Sequence, residues 1–171
     1  WPRIPLHPPR RPPWERRWKM HPALTSFKGD MMNAPAQSLT NHLFHQMKIG
    51  DHASLSRHVG PEDIELFAAV SGDANPAHLD ANFAAHGPFG HVVIHGMWTA
   101  ALISAVLGTR LPGPGTIYLD QQVRFQKPVS PGDTVTAEVE VIELIEGKNR
   151  VRLATTARNQ LGEVVLSGEA L

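Results

Sequence analysis

The chain has 171 residues, 42% of them hydrophobic, which is enough for one domain with a single apolar core. Sixteen Lys/Arg balance sixteen Asp/Glu, so net charge gives no reason to expect nucleic acid or an acidic membrane surface as a partner. The absence of cysteine excludes disulfides, thiol catalysis and cysteine-ligated metal centres, and it is compatible with a reducing cytoplasm.

The first forty residues differ in character from the rest. Prolines at high density, as in "WPRIPLHPPRRPPWERRWKM", remove helical hydrogen bonds and fix an extended backbone. We therefore expect residues 1–40 to be a disordered Pro/Arg-rich extension and residues 41–171 to form the folded domain. The chain has neither an apolar run of about 18 residues nor a hydrophobic N-terminal region, so we expect no membrane span and no secretory signal.

The folded part begins with a strand and a helix. The segment "KIGDHASLSRHV" ends in a short alternation that predicts a first strand. Gly60 and Pro61 then open a helix, whose buried stripe is supplied by Ile64, Phe67 and Ala68 at helical spacing. Gly72 is placed to end it.

A second helix is predicted over residues 95–108, "HGMWTAALISAVLG". It is apolar nearly all round and rich in alanine, which is typical of a helix that is covered on most sides. We expect it to be the central element of the domain.

Four segments with period-two alternation follow the "LPGPG" turn and predict strands. Their inward positions are Ile117, Leu119, Val123 and Phe125; Val135, Ala137, Val139 and Val141; Val151, Leu153 and Ala157; Val164 and Leu166. The turns are "SPGD", "EGKN" and "NQLG". A buried helix followed by an antiparallel meander indicates an α+β domain in which the sheet curls around the helix.

The segment "SGDANPAHLD", residues 71–80, is the first candidate for chemistry. Asn-Pro favours a turn, and a turn can bring the Asp73 carboxylate and the His78 imidazole into one pocket as a base and an acid. The same residue types are common at helix ends and turns, so composition and spacing leave both interpretations open.

Other kinds of site have less support. His91 and His95 are four residues apart, and His86 is nearby, yet no H-E-x-x-H arrangement accompanies them, so we expect no metal. The loop lacks the ligand pattern of an EF-hand. Serine-hydrolase, P-loop and Rossmann motifs do not occur.

The segment "HGM", residues 95–97, begins the predicted buried helix. A helix N-terminus has free N–H groups, so Gly96 can offer its N–H to an oxygen that becomes negative during a reaction. A glycine needed for close packing is the alternative. Ser104 projects from the same helix two turns later, where a small packing residue is equally typical.

Three segments together carry a resemblance to a known family: "FAAVSGDANPAHLD", "VVIHGMWTAALISAVLGTRLPGPGTIYL" and "VRFQKPVSPGDTVTAEVEV". In this order and spacing they resemble the MaoC-like, (R)-specific enoyl-CoA hydratases with a single hot-dog domain. The match spans roughly residues 47–171. It is similar in particular to the hydratase module of bifunctional enoyl-CoA hydratase/phosphate acyltransferase proteins.

The resemblance implies a hot-dog fold and the reversible hydration of trans-2-enoyl-CoA to (R)-3-hydroxyacyl-CoA on short to medium chains. Asp73 and His78 match the catalytic pair, Gly96 the donor to the thioester oxygen, and Ser104 a serine of the hydrophilic cluster. Coenzyme A would be part of the substrate, with no separate cofactor. Apart from the resemblance, basic residues such as Arg124 or Lys127 are candidates for contact with its phosphates.

The resemblance also implies a homodimer, or a multiple of it, whose sheets join edge to edge. From the lack of cysteine and of a secretory signal, we expect the protein in the cytoplasm. Two other functions are compatible with a hot-dog domain. A thioesterase would release free CoA, and a non-catalytic acyl-CoA-binding module would be stabilised by ligand without turnover.

Overall fold

A computed structural model describes Leu39 and residues 41–171, which form one compact unit from Leu39 to Leu171. The predicted disordered extension, residues 1–40, lies outside the described residues except for Leu39. None of the helices in the described part is long and apolar enough to cross a bilayer.

The unit contains five strands and four α-helices. The strands are β1 (His52–His58), β2 (Gln121–Phe125), β3 (Thr134–Ile145), β4 (Arg150–Arg158) and β5 (Val164–Ala170). The helices are α1 (Pro61–Ser71), α2 (Pro76–Leu79), α3 (Ala81–Ala85) and α4 (Gly96–Thr109). A 3₁₀ turn at Phe44–Gln46 precedes β1.

Helix α1 has the boundaries that its sequence predicts. Pro61 occupies the first turn, and Gly72 ends the helix in the left-handed conformation at φ 79°. Asp63 is buried and accepts hydrogen bonds from the Gly60 N–H at 2.9 Å and from the Arg57 guanidinium at 2.8 Å. This carboxylate therefore ties the start of α1 to β1.

The five strands form one antiparallel sheet in the order β1-β3-β4-β5-β2, which confirms the predicted α+β hot-dog architecture. The simple four-strand meander is wrong, because β2 pairs with β5 at the far edge instead of with β3. Ile117 and Leu119 lie before β2 and are exposed, so the observed strand is shorter than the strand that the alternation predicted.

The core lies between α4 and the sheet. Val135, Ala137, Val139 and Val141 are fully buried along β3, as their alternation predicts. The alternation fails in β5, where the adjacent residues Val165 and Leu166 are both buried and Val164 is only half-buried. A register shift between β4 and β5 at Ala157/Arg158 accounts for this change.

Helix α4 is central, but it is covered on one side only. Its buried face packs against β1, β3 and β4 and consists of Trp98, Thr99, Leu102, Ile103, Val106 and Leu107. The opposite face, which consists of Met97, Ala101, Ser104 and Gly108, is exposed. The prediction that α4 is wrapped on most sides is therefore wrong for the single chain.

Candidate active site

The turn after α1 is built from short polar side chains that bond to the backbone close by. The Asp73 Oδ1 accepts from the Asn75 N–H at 3.3 Å, and the Asn75 Oδ1 accepts from the Ala77 N–H at 3.1 Å. Asn75 thereby caps α2, with Pro76 in its first turn. The segment "SGDANPAHLD" is thus a turn whose own hydrogen bonds orient Asp73 and begin the helix that carries His78.

His78 lies on α2, half-buried, and its Nδ1 is 2.7 Å from the Val93 carbonyl oxygen. A carbonyl only accepts, so the Nδ1 carries a proton in this bond. The Nε2 of a neutral His78 is then without a proton. This nitrogen is the one that can exchange a proton with a bound molecule.

His95 immediately precedes α4 and is brought to the same place. Its Nε2 is 2.9 Å from the Asp73 carbonyl oxygen, and its ring centroid lies 4.0 Å from that of His78. Phe67 of α1 also lies near His95, with ring centroids 5.1 Å apart. These contacts could not be predicted from the residues next to His95, because its partners come from a distant turn.

The metal site considered from His86, His91 and His95 is not assembled. His86 bonds to the Asn82 carbonyl and His91 to the Ser130 hydroxyl, both at the surface. His95 instead joins Asp73 and His78, with one possible ligand atom from each within 4.8 Å of the others.

The trio contains groups that can transfer a proton. Each imidazole uses one nitrogen on a backbone carbonyl, and the two rings are tilted by 34° with their centroids 4.0 Å apart. The exposed Asp73 carboxylate beside the half-buried His78 imidazole can share a water molecule.

Gly96 begins α4, where its N–H has no acceptor within the helix. The residue is exposed, so this N–H and the positive end of the helix dipole are open to a ligand. A methyl group at Gly96 would lie 3.0 to 3.2 Å from the ring of Phe125. The glycine therefore combines a free donor with a close approach of β2.

The site is open to solvent in the single chain, since Asp73 and Gly96 are exposed and His78 is half-buried; it is called the cleft below. Large apolar side chains on the segments around it are exposed, namely Leu79, Phe83, Phe89, Met97 and Phe125. Two surface cavities of about 440 and 540 Å³ lie elsewhere, near Arg110–Leu111 and Leu107–Pro112, and neither is lined by Asp73, His78 or Gly96. The site is therefore identified by the chemical groups that it brings together and not by the size of a pocket.

The resolved pKa shifts concern groups outside this cleft. Burial, with a smaller effect of the Asp120 charge, raises the pKa of Tyr118. The hydrogen bond from Lys127, followed by that from Asn159, lowers the pKa of Glu163. These shifts reflect local packing and an ion pair at the end of the sheet, and they do not bear on proton transfer at Asp73.

A family model for the MaoC-like domain matches residues 45–162, which include every residue of the cleft described above. The chain belongs to the MaoC-like family. This membership, together with the hot-dog relatives of known structure, confirms the resemblance of the three sequence motifs.

Two curated members of the MaoC-like family illustrate the relationship. The 3-hydroxybutyryl-CoA dehydratase of Methylorubrum extorquens is 50% identical over 129 residues, covering 75% of this chain and 81% of the relative. The (R)-specific enoyl-CoA hydratase of Rhodospirillum rubrum is 47% identical over 135 residues, covering 79% and 93%.

Among solved MaoC-like structures, the unliganded R-hydratase of Pseudomonas aeruginosa superimposes with a TM-score of 0.72 at 49% identity. The alignment covers 76% of this chain and 83% of that one. The fold and most of the chain are thus shared with an enzyme of this family.

The remaining predicted positions are more distant from the trio. Ser104 lies on the exposed face of α4, about 12 Å along the helix axis from Gly96. Lys127 pairs with Glu163. Arg124 is exposed on the opposite side of β2 from Phe125, since neighbouring strand residues alternate. The structure therefore brings Asp73, His78 and Gly96 to one cleft, while the roles of Ser104, Arg124 and Lys127 stay predictions.

Proposed function

We propose that this protein catalyses the reversible (R)-specific hydration of trans-2-enoyl-CoA to (R)-3-hydroxyacyl-CoA, a hydro-lyase reaction. The observation that carries the proposal is the proximity of the Asp73 carboxylate and the His78 imidazole at a place open to solvent. Two relatives at 47% and 50% identity, named for enoyl-CoA hydration and for the reverse dehydration, support it.

Proton transfer begins with a water molecule held between Asp73 and a protonated His78. Asp73 takes a proton from the water as its oxygen forms a bond to C3 of the substrate. The electrons of the C2–C3 double bond move toward the thioester and then form a bond from C2 to the proton of His78 Nε2. Passage of the proton from Asp73 back to His78 restores the starting state.

The thioester oxygen gains negative charge while C3 is attacked. The free N–H of Gly96 at the helix N-terminus is the group suited to bind it. Because Asp73 and His78 belong to one turn and its following helix, oxygen and proton reach the same face of the double bond. This arrangement gives syn addition and a single product configuration.

Hydration of crotonyl-CoA tests the proposal directly. Loss of the conjugated enoyl-thioester absorbance is followed, and the product is separated by handedness. We expect turnover to the (R)-alcohol, falling about 10²- to 10⁴-fold in Asp73→Asn because the base is removed. Asp80→Asn is the matched control, since Asp80 only caps α3 and an asparagine also accepts the bonds from Asn82 and Phe83.

The same assay separates the two alternative functions. Free thiol without loss of the double bond would indicate a thioesterase. Thermal stabilisation by acyl-CoA with no turnover would indicate a binding module. A series of enoyl-CoA substrates tests the proposed preference for short to medium chains, which we expect the exposed apolar side chains around the cleft to contact.

We further propose that the protein acts in the cytoplasm and that coenzyme A takes part only as a portion of the substrate. We also propose that the protein is a homodimer or a multiple of it. Strand β2 pairs with β5 on one side, and its other edge is unpaired within the described residues. Joining two such edges would extend the sheet across both copies. Light scattering at micromolar concentration tests this, and a monomeric mass would contradict it.

A further inference from the structure

His95 is a buried imidazole that the proposed reaction does not use. Its side chain is 2% exposed, and its Nδ1 has no hydrogen-bond partner among the described residues. An unpartnered buried polar atom costs free energy, which an apolar side chain of similar shape would avoid. The other contacts of the imidazole must therefore account for a histidine at this position.

The first contact fixes the backbone of the catalytic turn. The His95 Nε2 lies 2.9 Å from the Asp73 carbonyl oxygen, so it donates and carries the proton of the neutral ring. His95 is also the residue before Gly96. One hydrogen bond thus connects the turn that carries the base to the helix end that carries the proposed oxyanion donor.

The second contact restricts the imidazole of His78. The bond from His78 Nδ1 to the Val93 carbonyl fixes one end of that ring but leaves it able to tilt about the bond. The His95 ring lies against it, with centroids 4.0 Å apart. Together the two contacts determine where the His78 Nε2 points.

The proposed reaction places its proton on His78, and a second proton on His95 would face it. The titratable groups that face His95 are Asp73 and His78. A proton on both imidazoles would put two like charges about 4 Å apart, which is unfavourable at low dielectric. A neutral His95 leaves the proton of the reaction to His78.

We propose that His95 is a positioning residue, which in its neutral Nε2–H form holds the Asp73 turn through a hydrogen bond and the His78 ring through direct contact between the two tilted rings. The inference rests on the proposed function and adds a third residue to its site. His95 does not touch the reacting atoms; it acts through Asp73 and His78.

Two substitutions separate the two contacts. His95→Phe keeps a ring against His78 and removes the donor to Asp73, whereas His95→Gln keeps a donor and removes the ring. We expect kcat for crotonyl-CoA to fall about 10- to 100-fold in at least one of them, because misplacing a catalytic group by about 1 Å costs up to that much. KM should change little, since neither contact binds substrate.

His52→Phe is the matched control. The His52 imidazole also contacts a backbone carbonyl, that of Gly50 at 3.3 Å, but it is exposed at the start of β1, the opposite edge strand from β2. Its kcat should equal that of the wild type. Values of kcat within about twofold of wild type in both folded His95 variants would overturn the proposal, because a residue that only packs affects Tm alone.

A measurement on the wild-type protein keeps the proposal testable even if the variants do not fold. NMR of isotope-labelled histidine reports which ring nitrogen is protonated, and we expect Nε2–H at His95 and Nδ1–H at His78. An Nδ1–H form of neutral His95, or a cationic His95 while His78 titrates, would overturn it. Absence of wild-type turnover would refute the hydratase function instead. The NMR result would still show whether the His95 Nε2 carries the proton that it donates to the Asp73 carbonyl.

Discussion

The phenyl ring of Phe125 lies so close to Gly96 that a methyl group built on the glycine would be 3.0 Å from the ring's Cε1. Phe125 ends β2 and Gly96 begins α4. Gly96 does not have a positive φ, so the glycine is required for space and not for its backbone conformation. This contact sets the separation between an edge strand and the proposed oxyanion donor.

Gly96→Ala should therefore lower kcat for crotonyl-CoA about 10- to 100-fold, because the new methyl group displaces either the ring or the start of α4. Adding Phe125→Leu to the same chain makes room and should restore part of the loss. Steady-state kinetics of the single and double variants measures the coupling between the two positions.

Gly108→Ala is the control for the previous substitution. Gly108 lies in the same helix, and a methyl group there would have no atom within 4 Å in the described chain. Alanine favours helix, so we expect unchanged kcat and a gain of up to about 1 kcal/mol in unfolding free energy. Equal losses of activity at both glycines would show that the Phe125 contact is not the cause.

Asn75 should support activity through its cap on α2. Asn75→Ala removes the acceptor for the Ala77 N–H from a helix of four residues that carries His78. We expect a loss of about 0.5 to 2 kcal/mol in unfolding free energy and a fall in kcat. Asn75→Ser keeps an acceptor and should recover both. Recovery of stability without activity would mean that the asparagine side chain has a direct role in the reaction.

The local elements could be predicted because their signals are local. Gly60-Pro61 and Gly72 delimit α1, and the alternation in β3 follows from side chains that point to opposite faces of one strand. The proximity of Asp73 and His78 could be predicted for the same reason, since their turn is formed by hydrogen bonds between residues two apart. The residues of the turn alone did not indicate a function. The order and spacing of three motifs indicated the family.

The features that were missed depend on distant parts of the chain. His95 bonds to a residue 22 positions away, and nothing in "HVVIHGM" indicates that its ring meets His78. The position of β2 beside β5 also could not be predicted from the residues of β2, because strand order is decided by packing.

Gly168 should be required for the pairing of β5 with β2. A methyl group at this residue would overlap the backbone carbonyl of Gln122, which neither strand can avoid without moving. We expect Gly168→Ala to lower the unfolding free energy by about 1 to 3 kcal/mol. Urea unfolding measures it, with Ser167→Ala as the neighbouring control because that serine bonds only to Gln126 at the surface. An unchanged midpoint for Gly168→Ala would contradict the close approach of these strands.

Lys127 should contribute to stability through Glu163 in a pH-dependent way. The hydrogen bond from Lys127 holds the pKa of Glu163 below its usual range, so the stabilisation is present above the usual carboxyl pKa and is lost as the pH falls through the lower, folded value. Both side chains are exposed, so the effect is small and weakened by salt. Lys127→Gln should therefore lower Tm slightly at neutral pH and not at all once Glu163 is protonated in both states. If Lys127 instead binds the phosphates of CoA, the same variant will raise KM for crotonyl-CoA, and the rise will exceed that in Glu163→Gln.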